Sequence, residues 1–398
     1  MELYIKECKM IAKRYIYYIF IALFLLFYFS QMGFIKTEDA KSFIQKPKEY
    51  IGSQEIAPYG WKFEEIDLDN ANKVVKHLFN EYVEGGYVTY PIGFYKFVKL
   101  DNEEQVKIKE SIEYLTGKDI EDLNRTKDFS LDKSLEIKEF LIETEKIDNL
   151  LGGGSYYAIE GMQTLSRRPA TYKEAIKDYE LLKKEGVFSG VGRLSADYIG
   201  IVMGLIPMFL TIYMVGRDKK DKIYELIDSK RLSSFKLITI RYLALLTMSL
   251  LPVLIIALKE TILFLCVGII IDVDINIFGF IKYILFWIVP TVMFVIALSS
   301  FLTKLTESAI GILVGVVVWF LNLHNISLTG HYPIWGLMIR HNTSKGGELI
   351  SNNLDLIIKN RLFFVFLSIV LVLATVLVYD LKRRGKLARK NRKKSFSL

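Results

Sequence analysis

The feature that most constrains this chain is the sorting of its apolar residues into runs about as long as a bilayer is thick. A membrane-crossing helix needs roughly 20 mostly apolar residues. The stretch "YIYYIFIALFLLFYFSQMGFI", Tyr15 to Ile35, meets that length. It lacks a small-x-small cleavage site, so it is expected to be an uncleaved anchor rather than a leader. Five further runs crowd residues 198–380. They are Tyr198–Gly216, with a bend expected at Pro207; a run opening after Lys236; Phe278–Leu302; Ala309–Leu323; and a last run ending at Tyr379. Residues 36–196 are polar throughout, which is how 52% hydrophobic and 24% charged residues coexist in one chain. The segment Lys259–Ile277 is open to two readings, a re-entrant piece or the tail of a long third helix. On either reading Asp272 and Asp274 mark the return to water, since carboxylates at membrane depth are costly.

The fold class expected is a mainly α membrane protein. It has six transmembrane helices and a helix-rich α+β extracytoplasmic domain between helices 1 and 2. The corresponding divisions are an amphipathic elbow at 1–14, helix 1 at 15–35, the outer domain at 36–196, helices 2–6 within 197–380 and a basic tail at 381–398. Basic residues in short loops orient such a chain. Lys6, Lys9, Lys13 and Arg14 precede helix 1, seven Lys and Arg lie in Gly216–Lys236, and nine lie between Lys382 and Lys394. Six crossings put all three clusters on the cytoplasmic side of a cell membrane, bacterial by the character of the outer segment, and residues 36–196 outside. The outer segment is net acidic, with 30 Asp and Glu against 24 Lys and Arg, so the overall charge of +8 belongs to the inner face. Anionic lipid, not nucleic acid, accounts for it.

Within 36–196 the pattern gives helices around Val74–Val83, from Asp101 to Gly117, from a Ser130 cap to a Gly152 stop, and from a Thr171/Glu174 capping box. "GGYVTYPIGFYKFVKL" reads as extended, and "LGGGSYY" (151–157) as a hinge. There is no phosphate loop. Two cysteines build neither a disulfide framework nor a zinc site, and the spacing of His324, His331 and His341 is unlike a metal motif. No catalytic, cofactor or metal residue is assigned. Few charges are expected along the pathway between the spans, which favours a lipid, drug or amphipathic peptide over an ion.

The loop "GRDKKDKIYELIDSKRLSSFK", Gly216–Lys236, combines basic residues with apolar Ile223, Tyr224, Leu226 and Ile227 at helical spacing. Asp218 and Lys222 have the i,i+4 order that stabilises a helix, and the apolar side needs a partner. Glu225, Leu226, Ile227, Ser229 and Ser233, followed by Arg241, resemble the segment between the second and third spans of type-2 ABC exporter permeases. Arg231 stands where that family usually has proline, and Lys222-Ile223 where it has Gly-Thr. The inner turn around 297–315 and the layout of one span, an outer segment and five spans are similar as well.

The resemblance implies a permease that exports its substrate using a separate ABC ATPase subunit, which binds the ATP, so no cofactor belongs to this chain and the chain is not itself an enzyme. It implies pairing with a second permease copy or paralogue. A coupling helix within 217–235 would dock the ATPase through Arg217, Asp221, Ile223, Tyr224, Glu225, Leu226, Ile227, Ser229, Arg231 and Ser233. The alternatives are a membrane sensor that uses 36–196 as a receptor and signals through a partner, and a membrane-embedded enzyme.

Overall fold

The computed structural model describes residues 1–52, 56–62, 66–91, 95–123, 130–132, 134–221, 224–229, 231–271, 276–323, 332–341 and 347–387. The chain divides into two compact units, 1–46 with 178–398, and 47–177. Both borders of the polar unit therefore lie inside the 36–196 expected from composition.

The larger unit is helical. It opens with α1 (Glu2–Ala12), α2 (Tyr15–Met32) and α3 (Thr37–Ile44). Helix α2 buries Tyr17, Phe20, Phe24 and Tyr28, three or four residues apart and hence on one face. Leu23 and Leu26 on its other side are exposed, an apolar surface that suits hydrocarbon rather than water. The smaller unit then contributes β1 (Trp61–Lys62), α4 (Leu68–Glu84), β2 (Tyr87–Thr89), β3 (Lys96–Val98), α5 (Asn102–Thr116), α6 (Ile137–Leu150), α7 (Ile159–Leu165) and β4 (Arg168–Pro169). Helix α8 (Tyr172–Glu185) runs across the division between the units.

The chain continues with α9 (Val187–Met203), α10 (Ile206–Lys220), α11 (Tyr224–Asp228), α12 (Ser234–Ile271), α13 (Phe278–Tyr283), α14 (Val289–Thr306), α15 (Ile310–Leu323), α16 (Gly347–Asn352) and α17 (Leu354–Arg383). Among the described residues, four helical segments are long and apolar enough to cross a membrane: Tyr15–Met32, Ser234–Ile271, Phe278–Thr306 and Leu354–Arg383. A fifth exists if α9 and α10, bent by 42° at Gly204–Leu205, count as one span. Pro207 lies in the first turn of α10, where its missing N–H costs least. The protein is thus a helical membrane protein with four or five candidate spans.

The second span starts earlier than expected. Phe188, Val191, Arg193 and Ser195, expected in the outer domain, are buried in the helical unit, as is Asp197 just past its expected border. The segment 259–271 is the tail of α12, a 38-residue helix; Asp272 and Asp274 lie outside the described residues. Helix α15 has 14 residues, about 21 Å, against a hydrocarbon core of about 30 Å. A π-helical stretch, Ile284–Ile288, joins α13 to α14.

The smaller unit packs α4, α5, α6 and α7 around a core that includes Val75, Leu78, Ile108, Ile112, Phe140 and Tyr157. Strand β2 pairs antiparallel with β3, and β1 with β4. Helix α5 is capped by Asp101 in a box with Glu104 and ends at left-handed Gly117. Helix α8 uses the Thr171/Glu174 box, with Thr171 N donating to Glu174 Oε2 at 2.8 Å. Ser130 caps nothing comparable. Helix α6 begins only at Ile137, because Asp132 first makes a local turn, accepting from the N–H and hydroxyl of Ser134 at 2.9 and 2.8 Å. The glycine run is a bonded corner rather than a hinge. Ser155 N and Oγ donate to Asp148 at 2.7 Å, and Tyr90 N donates to Gly154 O at 2.7 Å.

Candidate functional site

Five charged side chains from four helices meet inside the helical unit. Glu7 comes from α1, Arg217 and Asp218 from α10, Arg241 from α12 and Lys304 from α14. Their side-chain exposures run only from 6% to 16%. Arg217 Nη2 donates to Glu7 Oε2 at 2.7 Å, and Arg241 Nε donates to Glu7 Oε1 at 3.1 Å. Arg241 also holds Asp218 with both terminal nitrogens. Lys304 Nζ donates to Val215 O at 3.2 Å and lies 3.7 Å from Asp218 Oδ2. The fork of a guanidinium suits two carboxylates at once, which is why arginines occupy the bridging positions.

The segment after α10 is fastened at both ends. Arg14 Nη2 lies 3.4 Å from Asp221 Oδ2 at an exposed rim. On the other side α17 reaches over α11. Tyr379 donates to Asp228 Oδ1 at 2.7 Å, Arg383 Nη2 donates to Asp228 O at 2.8 Å, and its Nη1 donates to Leu232 O at 2.6 Å. Ser234 Oγ donates to Asp380 Oδ1 at 2.9 Å. Ile227 and Leu232 pack on Leu237, Ile238 and Tyr379.

The residues assigned to a docking surface consequently part ways. Arg217 turns inward to Glu7, and Asp218, expected to support a surface helix with Lys222, is buried instead. Helix α10 runs unbroken to Lys220, so both lie within α10 and not within the short helix α11. Tyr224 and Glu225 open the five-residue α11. Leu226 is 63% exposed while Ile227 is half-buried. Ser229 Oγ donates to Leu226 O at 2.9 Å, and Ser233 Oγ accepts from Lys236 N at 3.2 Å at the start of α12. Asp221 and Arg231 are exposed. Ile223 and Lys222 lie outside the described residues.

No family model, curated protein or solved structure matches this chain.

A second set of buried polar side chains lies on α2, α9, α12, α14 and α17. Arg361 on α17 is buried and donates to Trp287 O at 3.1 Å, Gly336 O at 2.9 Å, Leu337 O at 3.2 Å and Thr291 Oγ1 at 3.1 Å. The π-helical stretch leaves the Trp287 carbonyl available for it. His341 N donates to Asp197 Oδ2 at 2.6 Å, and its Nε2 meets the Tyr332 hydroxyl. Glu260, fully buried on α12, accepts from Tyr28 at 3.2 Å and from Lys259 at 2.8 Å.

Charge is therefore far more abundant among these helices than the sequence reading allowed. Glu7, Lys304, Arg193, Asp197 and Arg361 were missed as a group. An i,i+4 pair of opposite charge at Arg193 and Asp197, next to an apolar run, was the available signal. His324 and His331 lie outside the described residues, and the described residues hold no group of metal-ligating side chains.

Proposed function

We propose that this chain is the permease subunit of an ATP-driven exporter whose ATPase is a separate protein docking at α11. The observation that carries this reading is the double fastening of the α11 segment. The ion network ties the end of α10, just before this segment, to α1, α12 and α14, and the α17 clamp ties its exit, so that a push on α11 would bear on these helices. Exposed Leu226 then supplies an apolar contact that this chain leaves uncovered. The resemblance of Glu225–Ser233 and Arg241 to exporter permeases points the same way.

Six crossings complete the reading, with α15 as the fifth. Lys382 near the end of α17 donates to Lys304 O at 2.7 Å, so the end of α14 adjoins the end of α17. Thr291 at the start of α14 donates to Leu337 O at 2.8 Å, and Asn360 near the start of α17 donates to Pro333 O at 2.7 Å. On this reading the chain between Glu307 and Pro333 passes from one end of these helices to the other, and α15, the apolar helix in that interval, is assigned the crossing. The three basic clusters then share the cytoplasmic side, 47–177 lies outside, and a second permease copy or paralogue completes the pathway for a hydrophobic or amphipathic substrate.

The test replaces Leu226 with cysteine and co-expresses the chain with each candidate ABC ATPase subunit from the same source. A cross-link from position 226 to that ATPase, and loss of the assembly in Leu226→Glu with membrane insertion intact, are expected. An active assembly in which position 226 never cross-links and Leu226→Glu is silent overturns the docking role.

A further inference from the structure

The backbone is rearranged where α9 meets α10. In a continuous α-helix each N–H donates to the carbonyl four residues back. At the break Gly204 N still does so, donating to Gly200 O at 2.9 Å. Leu205 N instead donates to Val202 O at 3.1 Å, only three residues back. The tightened turn releases Ile201 O, the carbonyl that Leu205 N would take in an unbroken helix. Two residues on, Pro207 has no N–H to offer Met203 O, and its ring crowds that carbonyl. The two helices consequently meet at 42°.

A third helix takes the released carbonyl. Trp319 Nε1 on α15 donates to Ile201 O at 2.8 Å. Its ring lies against the bend, since a Cβ added at Gly204 would be 3.2 Å from Trp319 Cδ1 and 3.3 Å from Met338 Sδ. Glycine at 204 is what lets both side chains approach so closely. The other helix irregularity, the π-helical stretch Ile284–Ile288, is fastened more firmly. There Trp287 O accepts from Arg361 Nη1 and from Thr291 Oγ1, each at 3.1 Å. Among the described residues the indole alone reaches Ile201 O from another element. Of the two irregularities, the one resting on a single neutral donor is the one that yields first. What it carries is the ion network, because Arg217 and Asp218 sit farther along α10. Arg217 is about 16 Å of helix beyond the break, so a change of about 10° in the bend swings it by about 3 Å. A swing of that size is enough to part Arg217 from Glu7.

We propose that the α9–α10 junction is a hinge and that the Trp319 indole is its pin. While the indole holds Ile201 O, the span stays bent. When the indole lets go, Leu205 N closes the ordinary bond to Ile201 O and the bend relaxes toward the kink that Pro207 alone imposes. Helix α15 thereby sets the tilt of α10, and the Glu7–Arg217 contact opposes the swing from the other end. The hinge belongs to this chain's own helices and is independent of any ATPase docking at α11.

The experiment measures a spin-label distance in the purified full chain without an ATPase. The labels are placed at exposed Lys220, the end of α10, and exposed Lys236, near the start of α12, with Cys8 and Cys266 replaced by serine. Trp319→Phe keeps a ring at the bend and removes the donor, and it is expected to move the mean distance by about 3 Å, the swing for about 10°. Pro207→Ala supplies the missing N–H to Met203 O, favours the straighter helix, and is expected to move the distance in the same direction. Met338→Ala removes packing at the same bend but leaves the indole bond, and the distance is expected to stay at the wild-type value. An unchanged distance in Trp319→Phe overturns the proposal. So does a shift in Met338→Ala equal to that in Trp319→Phe, because packing rather than the hydrogen bond would then set the bend. If Trp319→Phe does not fold, an unchanged distance in Pro207→Ala overturns it instead.

Discussion

At the scale of single residues, Glu7 is the position on which most depends. It is the carboxylate shared by Arg217 and Arg241, and it reaches them from 210 and 234 positions away in sequence. Removing one member of a buried ion pair costs about 3–5 kcal/mol, because the partner stays buried and uncompensated. Glu7→Gln should therefore lower the thermal midpoint of the purified chain. Arg217→Met added to it should restore part of the loss, since the second change removes one of the stranded charges. A double variant no better than the sum of the single changes would show that Glu7 acts through something other than this pair. Sequence alone marked Arg217 and Arg241 but not Glu7 or Lys304. Pairing across such separations follows from helix packing, which a linear pattern does not encode. It therefore took Arg217 for a surface residue, when its charge is spent inside.

At the scale of elements, local rules were legible wherever local chemistry decides. Asp101 and Gly117 bound α5, and Thr171 with Glu174 starts α8, because caps act within one turn. The rules failed where a competing contact wins. Ser130 lost to the Asp132 turn, and Leu131 N is held by Asn72 Oδ1 at 2.8 Å, which keeps that stretch out of α6. The start of α9 was missed because Arg193 and Asp197 look solvated until tertiary partners bury them.

The glycine corner shows the same division and gives a test. Gly153 and Gly154 have φ of 84° and 70°, so each is strained by any side chain. Around Gly153 nothing lies within 4 Å of an added Cβ, whereas at Gly154 it would lie 2.5 Å from Tyr90 O. Gly153→Ala should cost about 1 kcal/mol of strain alone. Gly154→Ala should cost more and also break the bond from Tyr90 N. Hydrogen exchange of the β2–β3 hairpin in the full chain reads this difference. Equal protection in both variants would show that the corner does not hold the hairpin.

At the scale of the whole molecule, the remaining question is which ends of the helices share a side. The contacts answer it in relative terms. Asp228 and Leu232 after α10 are bonded by Arg383 at the end of α17, and Lys382 beside it is bonded to Lys304 O and Leu305 O near the end of α14. These three helix ends also carry the basic residues, which a short loop retains on the cytoplasmic side. The absolute orientation is then a prediction. With Cys8 and Cys266 replaced by serine, single cysteines at exposed Asp119, Leu226 and Lys386 report each region to a membrane-impermeant maleimide. Position 119 should label in intact cells, while 226 and 386 should label only after permeabilisation. The pair 226 and 386 is the sharper half, because five crossings would put them on opposite sides and six put them together. A 14-residue α15 spans only about 21 Å, so it can serve as the fifth crossing only if the bilayer thins there or the flanking chain completes the passage. Opposite labelling of 226 and 386 would remove α15 from the spans and, with it, the six-crossing arrangement on which the proposed docking side rests.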